Sequence, residues 1–146
     1  MQVPHNSFVL VADGRKSLFF RNEGDSELPH LIVERKEVRD NPPDRDQKTD
    51  APGSKPSGVG SARSAVEETD FHQQEEDRFA ADMAEMLRKR ALNNEFESLI
   101  IVAPPKALGE LRKHYHKEVE RRITGEVAKD LTGHPVEEIE KILTAE

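Results

Sequence analysis

The sequence predicts an α/β fold, in which a five-stranded mixed sheet is flanked by helices and the elements follow the order βββ-αβαβα. Two uninterrupted apolar runs, Phe8–Ala12 and Ser98–Ala103, are typical of strands covered on both faces. Between them lies an apolar stripe with helical period, which begins at about Asp70. Because 146 residues are the usual length of one domain, we assign residues 1–146 to a single domain.

The first three strands are predicted to form an antiparallel meander. Phe8–Ala12 is followed at once by Asp13-Gly14 and then by Ser17–Phe20. An Asp-Gly pair between two apolar runs is typical of a tight hairpin, because both turn positions tolerate positive φ. Asn22–Glu27 indicates a second turn, and His30–Val38 is predicted as the third strand.

A long loop of about residues 39–69 is predicted before the first helix. Residues 39–70 contain four of the nine prolines and three of the eight glycines, and Val59 and Val66 are their only large apolar residues. So long a segment within a compact domain is usually a functional loop or a disordered segment. We expect mobility over residues 40–61, with order returning near Ala65.

A long amphipathic helix follows from about Asp70 to Asn93-Asn94. Acidic residues occupy its N-terminal half and Arg88-Lys89-Arg90 its last turns, which complements the helix dipole. Its apolar stripe consists of Phe79, Met83, Met86, Leu87 and Ala91.

The C-terminal third alternates strand and helix. Ser98–Ala103 is the fourth strand, and Pro105 opens a helix that carries Leu108, Leu111 and Tyr115 on one face. Val119, Ile123, Val127 and Leu131 recur every four residues, which favours a helix, whereas Gly125 and the β-branched residues favour a strand. We choose a fifth strand near Ile123–Lys129. A last helix follows Gly133-His134-Pro135.

Composition and net charge argue against several classes of site and of partner. The sequence has no cysteine, which excludes disulfides, thiolate metal sites and a cysteine nucleophile. The net charge of −7 argues against broad adhesion to nucleic acid or to anionic membranes. The first cation is Arg15 and the first apolar run is short, so neither a signal peptide nor a membrane span is predicted. We expect a cytoplasmic protein without membrane contact and without a cofactor.

Four segments stand out in order along the chain. They are Val11-Ala12-Asp13-Gly14-Arg15 with Leu18-Phe19, Gly60–Glu67 leading to Arg78-Phe79-Ala80, Val102-Ala103-Pro104-Pro105 with Leu108-Gly109 and Leu111-Arg112, and Glu126–Thr132. Together they resemble the bacterial host-attachment protein family, described as required for attachment to host cells. That family is in turn similar to the middle domain of archaeal and eukaryotic peptide-chain release factors.

The resemblance implies a five-stranded mixed sheet and favours the strand after Glu120. In release factors the corresponding loop carries Gly-Gly-Gln, which enters the peptidyl-transferase centre of the ribosome. This chain has Gly58–Arg63 there and no Gly-Gly-Gln anywhere, so release by the usual route is not expected. No Ser-His-Asp or paired-carboxylate pattern indicates another catalytic site.

Two candidate ligand sites follow from the loop and from the first strand. Gly58, Gly60 and Ser61 beside Arg63 form a possible phosphate cradle, although the glycine spacing of nucleotide-binding motifs is missing and a flexible loop is the alternative. Asp13 lies at the end of a central strand, where ligands often bind, but it also has a structural role in the Asp-Gly turn.

The remaining charged residues bear on metal binding and on nucleic-acid binding. His72 and Glu76, with Glu68 nearby, are better explained as groups near a helix N-terminus than as metal ligands, so we predict no metal site. The densest basic stretch is either a solvated face or a surface for a phosphate backbone, and it consists of Arg112, Lys113, Lys117, Arg121 and Arg122.

The resemblance to release factors, together with the missing Gly-Gly-Gln, implies a non-catalytic, translation-associated factor that binds tRNA or the ribosome through the loop and a basic edge. The alternative is a cytoplasmic protein-interaction module that binds other proteins and affects attachment to host cells indirectly.

Overall fold

The computed structural model describes residues 1–39 and 58–146, with residues 58–69 described as backbone only. The elements of this part of the chain are β1 (Phe8–Ala12), β2 (Lys16–Asn22), β3 (Leu31–Val38), α1 (Gly58–Leu92), β4 (Leu99–Val102), α2 (Pro105–Arg112), α3 (Lys117–Arg122), β5 (Ile123–Val127) and α4 (Val136–Ala145).

The five strands form one mixed sheet in the order β3-β2-β1-β4-β5. Strand β2 is antiparallel to both β1 and β3, whereas β1 is parallel to β4 and β4 is parallel to β5. Every residue of β1 and β4 is buried, as expected for the apolar strands at the centre of a covered sheet. The predicted α/β fold with a mixed five-stranded sheet is therefore confirmed.

Side chains of the central strands alternate between two separate cores. Leu10 and Ile101 face α1, α2 and α3, where they join Phe79 and Leu87. Val9, Val11, Ile100 and Val102 face the other side, where they pack with Ile139 and Leu143 of α4. Helices therefore cover both faces of the sheet.

Helix α1 packs on the sheet through its C-terminal half. Phe79, Met83, Leu87 and Ala91 of the predicted stripe are buried, and Met86 is partly buried. The helix ends in a Schellman motif with Asn94 at φ 57°. In this motif the amide of Asn94 donates to the carbonyl of Ala91 and the amide of Glu95 to that of Arg90, each at 2.9 Å.

The start of α1 differs from the prediction. The helix begins at Gly58 rather than near Asp70, so residues 58–69 are helical and not part of a loop. The last proline before the helix is Pro56, and the segment that follows contains good helix formers such as Ala62, Ala65 and Glu67. Residues 40–57, the rest of the predicted loop, lie outside the described residues. Their mobility therefore stays a prediction.

The ambiguous stretch after α2 contains a short helix and then a strand. α3 begins after His116, whose Nδ1 accepts a hydrogen bond of 3.0 Å from the amide of Glu118, and β5 follows directly from Ile123. The four-residue period therefore crosses from helix into strand, with Val119 buried in α3 and Val127 buried in β5. The fifth strand is confirmed, and the sequence missed α3.

Candidate functional site

Three of the four segments that carry the family resemblance, those that contain Asp13, Pro104 and Thr132, meet at one edge of the sheet. Because β1, β4 and β5 run parallel, their carboxyl ends lie at the same edge. Asp13 follows β1, Pro104 follows β4, and Thr132 follows β5 at this edge. In sheets with parallel strands, ligands usually bind outside the carboxyl ends of the strands. This edge is therefore where a ligand site is expected.

Asp13 organises the β1–β2 turn through its side chain. Its Oδ1 accepts hydrogen bonds of 2.7 Å from the amides of Arg15 and Lys16. No glycine in the described part of the chain has positive φ, so the turn does not use the backbone freedom that the Asp-Gly pair suggested. The hairpin is present, but the carboxylate of Asp13 closes it.

The second oxygen of Asp13 faces a buried hydroxyl. Thr132 Oγ1 lies 3.1 Å from Asp13 Oδ2 and 2.9 Å from Asp130 Oδ1. Thr132 is 8% exposed. Its single hydroxyl proton can donate a hydrogen bond to only one of these two carboxylates at a time. Asp13 therefore links the turn after β1 to the connection after β5, which is a structural role.

A cavity of about 130 Å³ opens beside Asp13 and Gly14, between the sheet edge and helices α1 and α2. Its apolar lining includes Phe79, Ala80 and Leu111. Its charged lining consists of Asp13, Glu76, Lys106 and Glu110. Lys106 Nζ lies 3.4 Å from Glu76 Oε1, so one pair joins α2 to α1 across the rim.

Glycine at position 14 allows α1 to approach the turn closely. A Cβ atom placed on Gly14 would lie 2.9 Å from Glu76 Oε2, which is shorter than a van der Waals contact. The sequence singled out Gly14 for its turn conformation, whereas the structure gives it a packing role against α1.

Helix α1 is also joined to the turn after α2 by a partly buried polar contact. His114 Nε2 lies 3.0 Å from Asp77 Oδ1. The hydrogen bond from His114 lowers the pKa of Asp77 below its usual value. Beside this pair, Glu110 accepts from Lys113 at 3.2 Å and from Gln73 at 3.5 Å.

Most of the predicted nucleic-acid residues are paired with carboxylates. Arg112 and Glu126 are 2.6 Å apart, and Lys113 pairs with Glu110. Arg121 lies 2.6 Å from Glu118 in the same helix. Lys117 has no ion pair within residues 1–39 and 70–146. The stretch is therefore less positive at its surface than its sequence indicates.

Arg122 has a structural role that the sequence did not reveal. Its Nη1 donates a 2.6 Å hydrogen bond to the carbonyl of Phe96, and its Nη2 lies 3.3 Å from Asn94 Oδ1. The side chain is only 13% exposed. It fastens α3 to the connection between α1 and β4, so we remove it from the candidate nucleic-acid surface.

The predicted cradle residues occupy the first turns of α1. Gly58, Gly60, Ser61 and Arg63 have helical backbone, so the cradle is not a loop. The structure describes only the backbone of these residues, so it shows no contact between their side chains and Asp13. Their binding to phosphate stays a prediction.

The sequence did not identify Lys106, Glu110 and Thr132 as site residues. Lys106 and Glu110 fall within the helix predicted after Pro105 and Thr132 within the fourth segment, and no short-range spacing links them. Thr132 was the last residue of the fourth segment, so combining that segment with the parallel order of β1, β4 and β5 would have placed it beside Asp13. Among the described residues, no group of three His, Asp or Glu side chains is arranged to hold a metal ion.

The fold and its cleft define a small α/β domain with a ligand-sized cavity at the carboxyl edge of its parallel strands. The chain belongs to bacterial archaeo-eukaryotic release factor family 12, whose model matches residues 6–143. The predicted relationship to release factors is confirmed, whereas the role in host attachment stays a prediction. No curated protein matches the sequence. In the described part of the chain, no helix is both long enough and apolar enough to cross a membrane.

Proposed function

We propose that this protein is a cytoplasmic, translation-associated factor that binds the ribosome or tRNA without catalysing peptide release. The observation that carries the proposal is the family match over residues 6–143. The sequence lacks the Gly-Gly-Gln tripeptide through which release factors reach the peptidyl-transferase centre. Binding without hydrolysis is therefore the activity that the residues favour.

The length of α1 supports this proposal. Its first buried side chain in the described part is Phe79, and the helix begins at Gly58. At 1.5 Å per residue, this N-terminal portion is about 30 Å long. It carries Arg63, so a cation of the predicted cradle lies on a helix rather than in a loop.

The exposed cations near β5 supply a second contact surface in the proposal. Lys117 and Arg121 lie on α3, and Arg112 lies on α2 beside β5. Surface ion pairs contribute only about 0–1 kcal/mol each, so Arg112 and Arg121 can exchange a carboxylate for a phosphate at small cost. Arg122 is excluded because it is a structural residue.

Co-sedimentation with ribosomes at several salt concentrations tests the proposal. We expect binding that weakens as salt increases, because phosphate contacts release counterions. The double substitution Lys117→Glu with Arg121→Glu should weaken binding, and so should Arg63→Ala. Arg35→Glu is the matched control, since Arg35 is an exposed, ion-paired arginine on β3, at the opposite edge of the sheet from β5.

Absent or salt-independent co-sedimentation, together with no salt-sensitive binding to free tRNA in a gel-shift titration, would overturn the proposal and leave the protein-interaction hypothesis. Equal weakening by Arg35→Glu would instead mean that general charge, not this surface, governs binding. Peptide release measured on loaded ribosomes completes the test, because any stimulated release would contradict the non-catalytic role.

A further inference from the structure

Strand β3 lies at one edge of the sheet and carries exposed apolar side chains. The strand order is β3-β2-β1-β4-β5, so in the described part of the chain β3 pairs only with β2. An edge strand presents amide and carbonyl groups with which a further strand can pair. Of the five large apolar side chains that are exposed among the described residues, Val33 and Val38 belong to β3, and none belongs to β5 at the opposite edge. The β3 edge is therefore the better surface for a partner.

The hydrogen bond just beyond the end of β3 shows which of its amides point outwards. The amide of Arg39 donates to the carbonyl of Arg15 at 2.8 Å, so the backbone groups of Arg39 face β2. In an antiparallel pair, the backbone groups of successive residues point alternately towards the neighbouring strand and away from it. The register between β2 and β3 is regular over this part, so the amides of Val38 and Lys36 point away from β2.

A side chain already occupies the outer side of β3 at its first residue. The amide of Leu31 donates a 2.8 Å hydrogen bond to Oε2 of Glu140 in α4. An amide at this edge thus binds an acceptor that lies within reach. The contact also confines the free part of the edge to the residues after Leu31.

One face of this free edge combines two valines with a lysine. Val33 and Lys36 lie opposite Phe20 and Leu18 of β2, both of which pack in the core beneath α4. Val38, two residues after Lys36, points to the same face. Val33 is 48% exposed and Val38 is 56% exposed. The edge therefore presents apolar, basic and apolar side chains in turn.

Lys36 is the charge of β3 that is left for a partner. Glu34 pairs with Arg21 at 3.4 Å, and Arg35 pairs with Glu37 at 3.1 Å. Lys36 is exposed, and it has no ion pair with any side chain that the structure describes. A carboxylate on an added strand would therefore not have to displace an existing partner.

We propose that the free edge of β3 binds an extended peptide segment of another protein, which joins the sheet as a strand antiparallel to β3. The segment carries an acidic residue opposite Lys36 and apolar residues at the alternate positions beside Val33 and Val38. Opposite charges and apolar pairs on neighbouring strands stabilise a sheet. In strand addition, backbone hydrogen bonds supply affinity and the alternate side chains supply specificity. A second copy of β3 fits less well, because pairing centred on Lys36 would place two ammonium groups opposite each other. This inference does not depend on ribosome binding.

A peptide with this pattern, acetyl-Thr-Val-Thr-Glu-Thr-Val-Thr-amide, tests the inference. It is titrated into the full chain, and the amides are followed by NMR. We expect chemical-shift changes and slower hydrogen exchange at Lys36 and Val38, and unchanged hydrogen exchange at Leu31, whose amide is already bonded. N-methylation of the peptide's glutamate removes a donor that faces β3 and should weaken binding by about tenfold or more. N-methylation of the threonine before it, whose amide faces away, should leave binding unchanged. No shift with the parent peptide, or equal binding of both N-methylated peptides, would overturn the proposal.

A charge exchange tests the role of Lys36. Lys36→Glu should abolish binding of the glutamate peptide and should bind a peptide with lysine in place of that glutamate, because the exchange restores opposite charges. The matched control is Lys141→Glu, which changes an exposed lysine of α4 and should bind the glutamate peptide as the parent does. Undiminished binding of the glutamate peptide to Lys36→Glu would refute the site. Analytical ultracentrifugation of the parent chain tests the other occupant. A dimer that Lys36→Glu dissociates would overturn the proposal in favour of pairing between two copies.

Discussion

The hydroxyl of Thr132 lies 3.1 Å from Oδ2 of Asp13, although the two residues are 119 positions apart in sequence. The contact joins the connection after β5 to the β1–β2 turn at the carboxyl edge of the sheet. Asp13 also holds the amides of Arg15 and Lys16. One carboxylate thus secures both a local turn and a long-range contact.

Replacing Asp13 should therefore cost stability. Asp13→Ala leaves two turn amides without their acceptor and leaves the Thr132 hydroxyl with Asp130 alone, so we expect the free energy of unfolding to fall by about 2 kcal/mol. Thr132→Val should cost about 1 kcal/mol. Urea unfolding of both single variants and of the double variant measures the coupling. Strict additivity would contradict a direct interaction between the two side chains.

Gly24 and Gly14 differ in what an added Cβ atom would meet: backbone atoms at Gly24 and a side chain at Gly14. A Cβ atom on Gly24 would clash with the carbonyl oxygen of Leu28 and lie 2.6 Å from the amide nitrogen of His30, both backbone atoms. A Cβ atom on Gly14 meets the end of the Glu76 side chain, which can rotate away. We expect Gly24→Ala to destabilise the fold by about 2 kcal/mol and Gly14→Ala by less than about 1 kcal/mol. Thermal unfolding of the two variants decides the order, and a reversed order would refute this account.

The sheet was predictable because the local composition of its central strands is sufficient to identify them as strands. Val9, Leu10, Ile100 and Ile101 belong to apolar runs that only a doubly covered strand accommodates. Helix α1 was predictable where its apolar stripe packs on the sheet. Its start was not, because the glycines and prolines of residues 39–60 dominated the composition of a segment whose last part is helical.

The cavity was not predictable from sequence, because its members come from separate elements. Glu76 and Glu110 lie on different helices, and the angle at which α1 packs on α2 is set by side chains of the core. The basic stretch shows the complementary problem. Arg121 and Arg122 are neighbours in sequence, yet the side chain of Arg122 is mostly covered whereas that of Arg121 is exposed. The partner that distinguishes them is the backbone carbonyl of Phe96.

That distinction predicts different costs for two adjacent arginines. Arg122→Ala removes the donor to the Phe96 carbonyl and should lower the free energy of unfolding by about 2 kcal/mol. Arg121→Ala loses only an exposed pair within α3 and should change it by less than about 0.5 kcal/mol. Urea unfolding of both variants provides the measurement. Equal effects would contradict the anchoring role of Arg122.

The pair between Asp77 and His114 predicts how stability depends on pH. The hydrogen bond from His114 lowers the pKa of Asp77 in the folded protein, and hydrogen bonding to Glu110 and the charge of Lys113 act in the same direction. A lowered folded-state pKa gives stability that is present above the usual value, about pH 4, and is lost as the pH falls through the folded-state value. His114→Gln removes the main cause, so the variant should be less stable than the parent at pH 5 and should approach it as acid protonates Asp77. Urea unfolding at a series of pH values below 5 measures this difference. Glu75 pairs with Arg78 within α1 alone, so Glu75→Gln is the control. If the difference in stability between His114→Gln and the parent did not change with pH, the link between α1 and the turn after α2 would be contradicted.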